Sequence, residues 1–123
     1  IHDQGGIAIL PHPYAHHQNL TPELLRQLDG IEIYNGRDKR DYSAQTCAEF
    51  VVPYGLATVA NSDAHLYWEI GRACTELNLD RLDAVAVREA ILGRCAKPVR
   101  RAGKRSTTAV YSSKIVKRVK RFL

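Results

Sequence analysis

The sequence predicts an α/β domain in which parallel strands alternate with helices. Two apolar runs, Gly6–Leu10 and Leu56–Ala60, lack the polar alternation of a half-exposed strand and read as strands buried on both faces. A short third strand, Ile31–Tyr34, lies between them, so three strand–helix units follow one another along the chain. Such a succession indicates a parallel sheet covered by helices.

Each element has a local cause. His2-Asp3-Gln4-Gly5-Gly6 reads as the last turn of a helix closed by a glycine, which predicts a further N-terminal part upstream. His2 needs no role there beyond that of a cation at a helix C-terminus. Pro11 and Pro13 stop the first strand. Thr21-Pro22-Glu23 starts a helix: Thr21 caps, Pro22 suits the first turn and Glu23 suits its positive end. That helix runs to about Leu28 and ends at Asp29-Gly30. After Ile31–Tyr34 and a loop at Asn35–Asp38, residues 42–52 form a helix with Ala44, Cys47, Ala48 and Val51 on one face. Pro53-Tyr54-Gly55 is a turn before the strand Leu56–Ala60. Residues 66–72 read as a loop carrying Tyr67 and Trp68, and Ala73–Leu79 as strand-like. Asp80 is expected to cap a helix over 81–92 with Leu82, Val85, Ala86, Ile91 and Leu92 available for burial; Gly93 ends it. Lys97–Arg101 is a last extended segment. Residues 1–101 form one unit, and 102–123 a basic loop followed by an amphipathic helix capped by Ser112 or Ser113.

Composition narrows the class. No apolar run reaches the ~20 residues needed to span a bilayer, and nothing resembles a signal peptide. Cys47, Cys74 and Cys95 are far apart and lack a CxxC spacing. That argues against a disulfide framework and a zinc finger, predicts a cytoplasmic setting, and leaves the cysteines as small buried hydrophobes. The charge is segregated: residues 1–93 carry 7 Lys+Arg against 13 Asp+Glu, whereas 94–123 carry 11 basic residues and no acidic one.

The chemistry sits where the buried strands end. Ile-Leu-Pro-His12-Pro13 closes the first and Asn61-Ser-Asp63-Ala-His65 the last. In parallel α/β folds the carboxyl ends of strands carry the site, and His and Asp are side chains that borderline divalent metals favour. His12, Asp63 and His65 are therefore the candidate metal ligands. Arg37, in the loop after the middle strand, has the planar fork that suits a phosphate, with a structural ion pair as its plainer reading. Arg72 is a second candidate for substrate contact. Glu32 can line the pocket but is not read as a ligand, and Asn35 is expected to hold its loop by bonds to backbone. His16 and His17 read as solvated loop.

In order and spacing, Gly5-Gly6-Ile-Ala-Ile-Leu-Pro-His12-Pro13, Gly30-Ile-Glu-Ile-Tyr-Asn-Gly-Arg37, Asn61-Ser-Asp63-Ala-His65 and Glu69-Ile-Gly-Arg72 resemble the C-terminal portion of a PHP (polymerase and histidinol phosphatase) domain, with its associated C-terminal region. Asn61 stands where that family usually has Gly. The resemblance implies a distorted seven-stranded β/α barrel holding up to three divalent metals (zinc, manganese or iron). It implies metal-assisted hydrolysis of a phosphate ester, possible substrates including a nucleotide or an oligonucleotide. It places His12, Asp63 and His65 among the metal ligands, with Asp63, His65 and Arg37 serving catalysis. The family's N-terminal His-x-His pair and bridging Glu have no counterpart in these residues and belong upstream. The rival reading is a catalytically silent PHP module that binds nucleic acid or a protein partner through the basic 102–123 segment.

Overall fold

The computed structural model describes residues 1–15 and 19–101. His16, His17 and the basic 102–123 unit lie outside the described residues. Strands β1 (Ile9–Leu10), β2 (Gly30–Asn35) and β3 (Ala57–Asn61) form a parallel sheet in that order, and β4 (Ala73–Glu76) pairs with β5 (Lys97–Arg100) antiparallel. The helices are α1 (Pro22–Leu25), α2 (43–54) and α3 (Ala84–Leu92).

The mixed α/β class and the parallel order are as predicted. A barrel is not closed: among the described residues the parallel sheet is open, and β4 turns away into its own hairpin-like pair. Side chains replace the ladder at that edge. The Thr75 hydroxyl accepts the Ala60 N–H and donates to the Ala60 carbonyl, both at 2.9 Å, so those backbone groups are satisfied without another strand. The Ser62 hydroxyl donates to the Ala73 carbonyl at 3.0 Å and accepts the Gly71 N–H at 2.7 Å, drawing the start of β4 against the end of β3.

The sheet is packed on both faces. Leu10, Ile31 and Leu56 meet Leu25 from α1 and Phe50, Val51 and Tyr54 from α2. Ala57 and Val59 meet Ile91 and Val87 from α3, with Ile9 beside them. This explains the continuous apolar runs: alternate residues of one strand serve opposite layers. Ile31 is fully buried, which is worth about 2–3 kcal/mol relative to exposure.

Several boundaries differ from the sequence reading. β1 is paired over only Ile9 and Leu10. Helix α1 is capped as predicted by Thr21, whose Oγ1 accepts the Leu24 N–H at 3.3 Å, but it stops at Leu25. Residues 26–29 then serve the sheet: the Asp29 N–H donates to the Ala8 carbonyl at 2.8 Å, and its carboxylate accepts the Ala8 N–H at 2.7 Å. The same Asp29 oxygen meets His2 Nε2 at 2.7 Å, so His2 has a specific partner and is not merely a terminal cation.

Helix α2 runs through Pro53 instead of ending before it, because Cys47–Val51 is a π-helical turn. Proline has no N–H and collides with the carbonyl four residues back in a regular helix; the wider turn removes that collision. The turn also rotates the buried face. Thr46, Phe50 and Val51 face inward, while Ala44 and Ala48, expected there, are exposed.

Helix α3 starts later than expected. Its cap is Asp83, whose Oδ1 accepts the Ala86 N–H at 2.8 Å, not Asp80. Leu82 thereby falls outside the helix and is 89% exposed, and Val85 is exposed too. The helix does end at Gly93, but the left-handed residue is Arg94 at φ 59°. Arg94 N–H donates to Ile91 and Cys95 N–H to Ala90, and the Arg94 Nη2 is held on the Gly55 carbonyl at 2.7 Å. The cysteines are free thiols; Cys47 and Cys74 are half-buried and Cys95 is exposed, so burial explains the first two in part and Cys95 not at all. No described helix is long and apolar enough to cross a membrane.

Candidate functional site at the carboxyl ends of the parallel strands

The end of β1 delivers His12 in a constrained loop. Its backbone is left-handed, at φ 31°, and its carbonyl accepts the Ala15 N–H at 2.9 Å. The His12 N–H donates to Glu32 Oε2 at 2.6 Å. Glu32 is 2% exposed, and the same oxygen accepts Asn35 Nδ2 at 3.1 Å. Two residues on, Tyr14 donates its hydroxyl to Glu49 at 2.9 Å and stacks against Tyr42 at 4.9 Å, fixing this loop on α2. Burial and the Glu49 carboxylate push the Tyr14 phenol up to about 12.

The end of β2 is bent by a bulge between Glu32 and Tyr34. Asn35 is buried and its Oδ1 accepts the Arg37 N–H at 2.8 Å, the backbone-holding role read from sequence. Gly36 follows because nothing larger fits. A Cβ there would stand 2.6 Å from the Ser62 carbonyl oxygen and 3.1 Å from Arg72 Cβ. Its N–H donates to the Asn61 carbonyl at 2.8 Å, so the β2 and β3 ends meet backbone to backbone.

The end of β3 carries Asp63, also left-handed at φ 48°. His65 Nδ1 lies 2.9 Å from the Asp63 carbonyl and 3.9 Å from Asp63 Oδ1. A carbonyl only accepts, so Nδ1 is the donor of this contact and Nε2 is the ring nitrogen left to serve as a metal ligand.

Glu69 organises the loop that follows. It is 1% exposed and accepts the N–H groups of His65 at 2.8 Å and Leu66 at 3.1 Å. Arg37 Nη1 donates to both Glu69 oxygens at 3.1 Å, while its Nε stands 3.9 Å from Asp63 Oδ2. Burial alone raises the Glu69 pKa, but the two N–H groups and the Arg37 and Arg72 charges outweigh it and hold the carboxyl below its usual range. The guanidinium read as a phosphate contact thus has Nη1 committed to a buried carboxylate, the plainer of its two readings. Arg72 also flanks Glu69, and its carbonyl accepts the Arg101 N–H at 2.9 Å.

Asp38 is the acidic residue that sequence reasoning passed over. Burial and the neighbouring Glu32 charge raise its pKa; Arg100 and His12 oppose the shift, and Asp63 adds to it. Asp38 therefore stands within electrostatic reach of both His12 and Asp63. Glu69 was visible in the Glu69-Ile-Gly-Arg72 motif, yet only the fold shows that it buries its carboxylate against His65 and Arg37. Among the described residues no three His, Cys, Asp or Glu side chains gather as the ligand set of one metal ion. The donor chemistry of Asp63 and His65 fits a divalent metal, with His12 at the neighbouring strand end.

Residues 45–95 match the family model described as PHP-associated. Those residues are similar to a PHP-associated region. That stretch spans most of α2, β3 and its loop, β4 and α3, and includes Asp63, His65, Glu69 and Arg72, whereas His12 and Arg37 lie before it. An uncharacterized protein of Methanocaldococcus jannaschii is 27% identical over 101 residues, covering 72% of this chain and 43% of that protein. The chain therefore spans less than half the length of this relative.

Proposed function

We propose that the PHP-associated chain supplies the β1 and β3 ligands of a metal-dependent phosphoesterase site, the remaining ligands coming from other parts of the complete protein. One observation carries the reading. Three described non-glycine residues have positive φ; Arg94 closes a helix, and the other two are His12 and Asp63, each just beyond the end of a buried parallel strand. Left-handed backbone costs energy for a side-chain-bearing residue, and it collects at sites where function fixes the geometry.

His12, Asp63 and His65 would hold divalent metal, zinc, manganese or iron, through imidazole nitrogen and carboxylate oxygen. When bound, such a metal supplies Lewis acidity that activates water and neutralises phosphate oxygens. The chain's own residues do the positioning. Glu32 fastens the His12 backbone, Glu69 fastens that of His65, and Arg37 spans Glu69 and Asp63. Arg72, less committed than Arg37, is the better placed cation for the ester phosphate. The test is hydrolysis of p-nitrophenyl phosphate by the intact protein with added manganese or zinc. Activity that chelator abolishes and Asp63→Ala reduces at least 100-fold supports the reading; metal-independent or absent activity overturns it.

The segregation of 11 basic residues into 94–123 favours a second reading, a silent PHP module that binds nucleic acid. Absent hydrolysis with retained nucleic-acid binding would select it.

A further inference from the structure

We infer that Asp38 donates a proton to the leaving oxygen of the phosphate ester, as the general acid of this site. The inference rests on the phosphoesterase reading and adds a catalytic residue that the reading does not name.

Hydrolysis of a phosphate monoester forms a bond from water oxygen to phosphorus and breaks the bond from phosphorus to the ester oxygen. The ester oxygen departs with the electron pair, and an alkoxide is too basic to leave readily without a proton. A group at the site that holds a proton and releases it to that oxygen lowers the barrier. The attacking water gives up one proton, by way of solvent, to the resulting carboxylate. The acid is thereby restored and no further reactant is needed.

The neighbouring carboxylates are committed elsewhere. Glu32 accepts the His12 N–H and the Asn35 amide, and Glu69 accepts two N–H groups and Arg37. Asp63 is a candidate ligand. Asp41 is exposed and accepts the Ser43 N–H at 2.9 Å. Asp38 is half-buried, and none of the described hydrogen bonds reaches its carboxylate; those it makes are through its backbone.

Those backbone bonds place it between the two motifs. The Asp38 N–H donates to the Asn35 carbonyl at 3.2 Å, and Asn35 shares Glu32 Oε2 with the His12 N–H. The preceding residue, Arg37, brings Nε to 3.9 Å from Asp63 Oδ2. From β5, Arg100 Nη2 fixes the Asp38 carbonyl at 3.0 Å. The main chain is thus held on both sides while the carboxyl is left unbonded. The charged groups that act on it are Glu32 of its own strand, His12 beyond β1, Asp63 beyond β3 and Arg100 of β5. Burial, the largest effect, and the Glu32 charge raise its pKa, the direction that keeps a proton on an acid.

The experiment compares two esters on the intact protein with added manganese. The p-nitrophenolate of p-nitrophenyl phosphate leaves readily as an anion; the alkoxide of benzyl phosphate does not. Asp38→Asn and Asp38→Ser are each expected to lower kcat for benzyl phosphate about 100-fold or more, and to lower it for p-nitrophenyl phosphate by a factor at least about tenfold smaller. Asp38→Glu, which keeps the acid, is expected to recover part of the benzyl phosphate rate. Metal content of Asp38→Asn by elemental analysis should equal that of the parent, as for a proton donor and not a ligand. Equal losses on the two esters, or metal lost from Asp38→Asn, overturn the inference. If that happens while the parent hydrolyses both esters, the phosphoesterase reading stands and Asp38 alone is removed from it. A parent that hydrolyses neither ester ends both.

Discussion

Glu32 holds His12 by its backbone: a carboxylate oxygen of a residue that is almost wholly buried accepts the His12 N–H at 2.6 Å. Glu69 does the same for His65 at 2.8 Å. Two buried carboxylates from different elements thus fix the two histidine motifs, and each has more than one donor to satisfy.

Glu32→Ala strands the His12 N–H and the Asn35 amide in the interior. It is expected to cost about 2–3 kcal/mol in urea unfolding. On the proposed reading it also lowers metal affinity about 10–100-fold, as loss of a ligand-orienting partner does. Unchanged unfolding and unchanged metal affinity would deny Glu32 this role.

Gly36 is where the β2 and β3 ends touch. Gly36→Ala places a methyl 2.6 Å from the Ser62 carbonyl, and backbone cannot yield as a flexible side chain does. The expected loss is about 1–3 kcal/mol, read by thermal or urea unfolding. A neutral outcome would show that the two loops are not in fixed contact.

The Arg37–Glu69 pair lies largely out of water, with side chains 19% and 1% exposed. A double-mutant cycle with Arg37→Ala and Glu69→Ala should return a coupling of about 1–3 kcal/mol, because either single variant leaves a partner charge unpaired. Simple additivity would place the two groups apart in solution.

Asp29 gives a pH signature away from the site. Burial raises its pKa, but the Ala8 N–H and the His2 imidazole outweigh that, so the folded value lies below the unfolded 3.8. The contribution is therefore fully present above pH 3.8 and is lost as pH falls through the lower folded value. Stability measured from pH 5 down to pH 2 should drop less steeply in Asp29→Asn than in the parent. Parallel curves would contradict the assignment.

How far these relationships were legible follows from their range in sequence. The apolar runs, the Thr21 cap and the motif positions at strand ends depend on residues within a few places of one another, and the sequence reading located them. The local role of Asn35, two residues from Arg37, was legible for the same reason. The π-turn before Pro53 was not, because the proline rule forecasts a stop and only packing on the sheet makes a widened turn the better solution. The antiparallel β4–β5 pair was hidden because Thr75, fifteen residues from Ala60, decides where the parallel sheet ends. The carboxylates followed the same pattern. Glu32 was legible as a residue able to line the pocket and Glu69 as part of a motif, but their holding roles were not, because their partners His12 and Arg37 lie twenty and thirty-two positions away.

The central claim is that β1 and β3 end in metal ligands, and the most direct measurement is the metal content of the intact protein by elemental analysis. The account predicts at least one equivalent of zinc, manganese or iron, lowered in His12→Ala and in Asp63→Ala. Protein that is metal-free as purified and stays empty after reconstitution, with both variants indistinguishable from the parent, would contradict it.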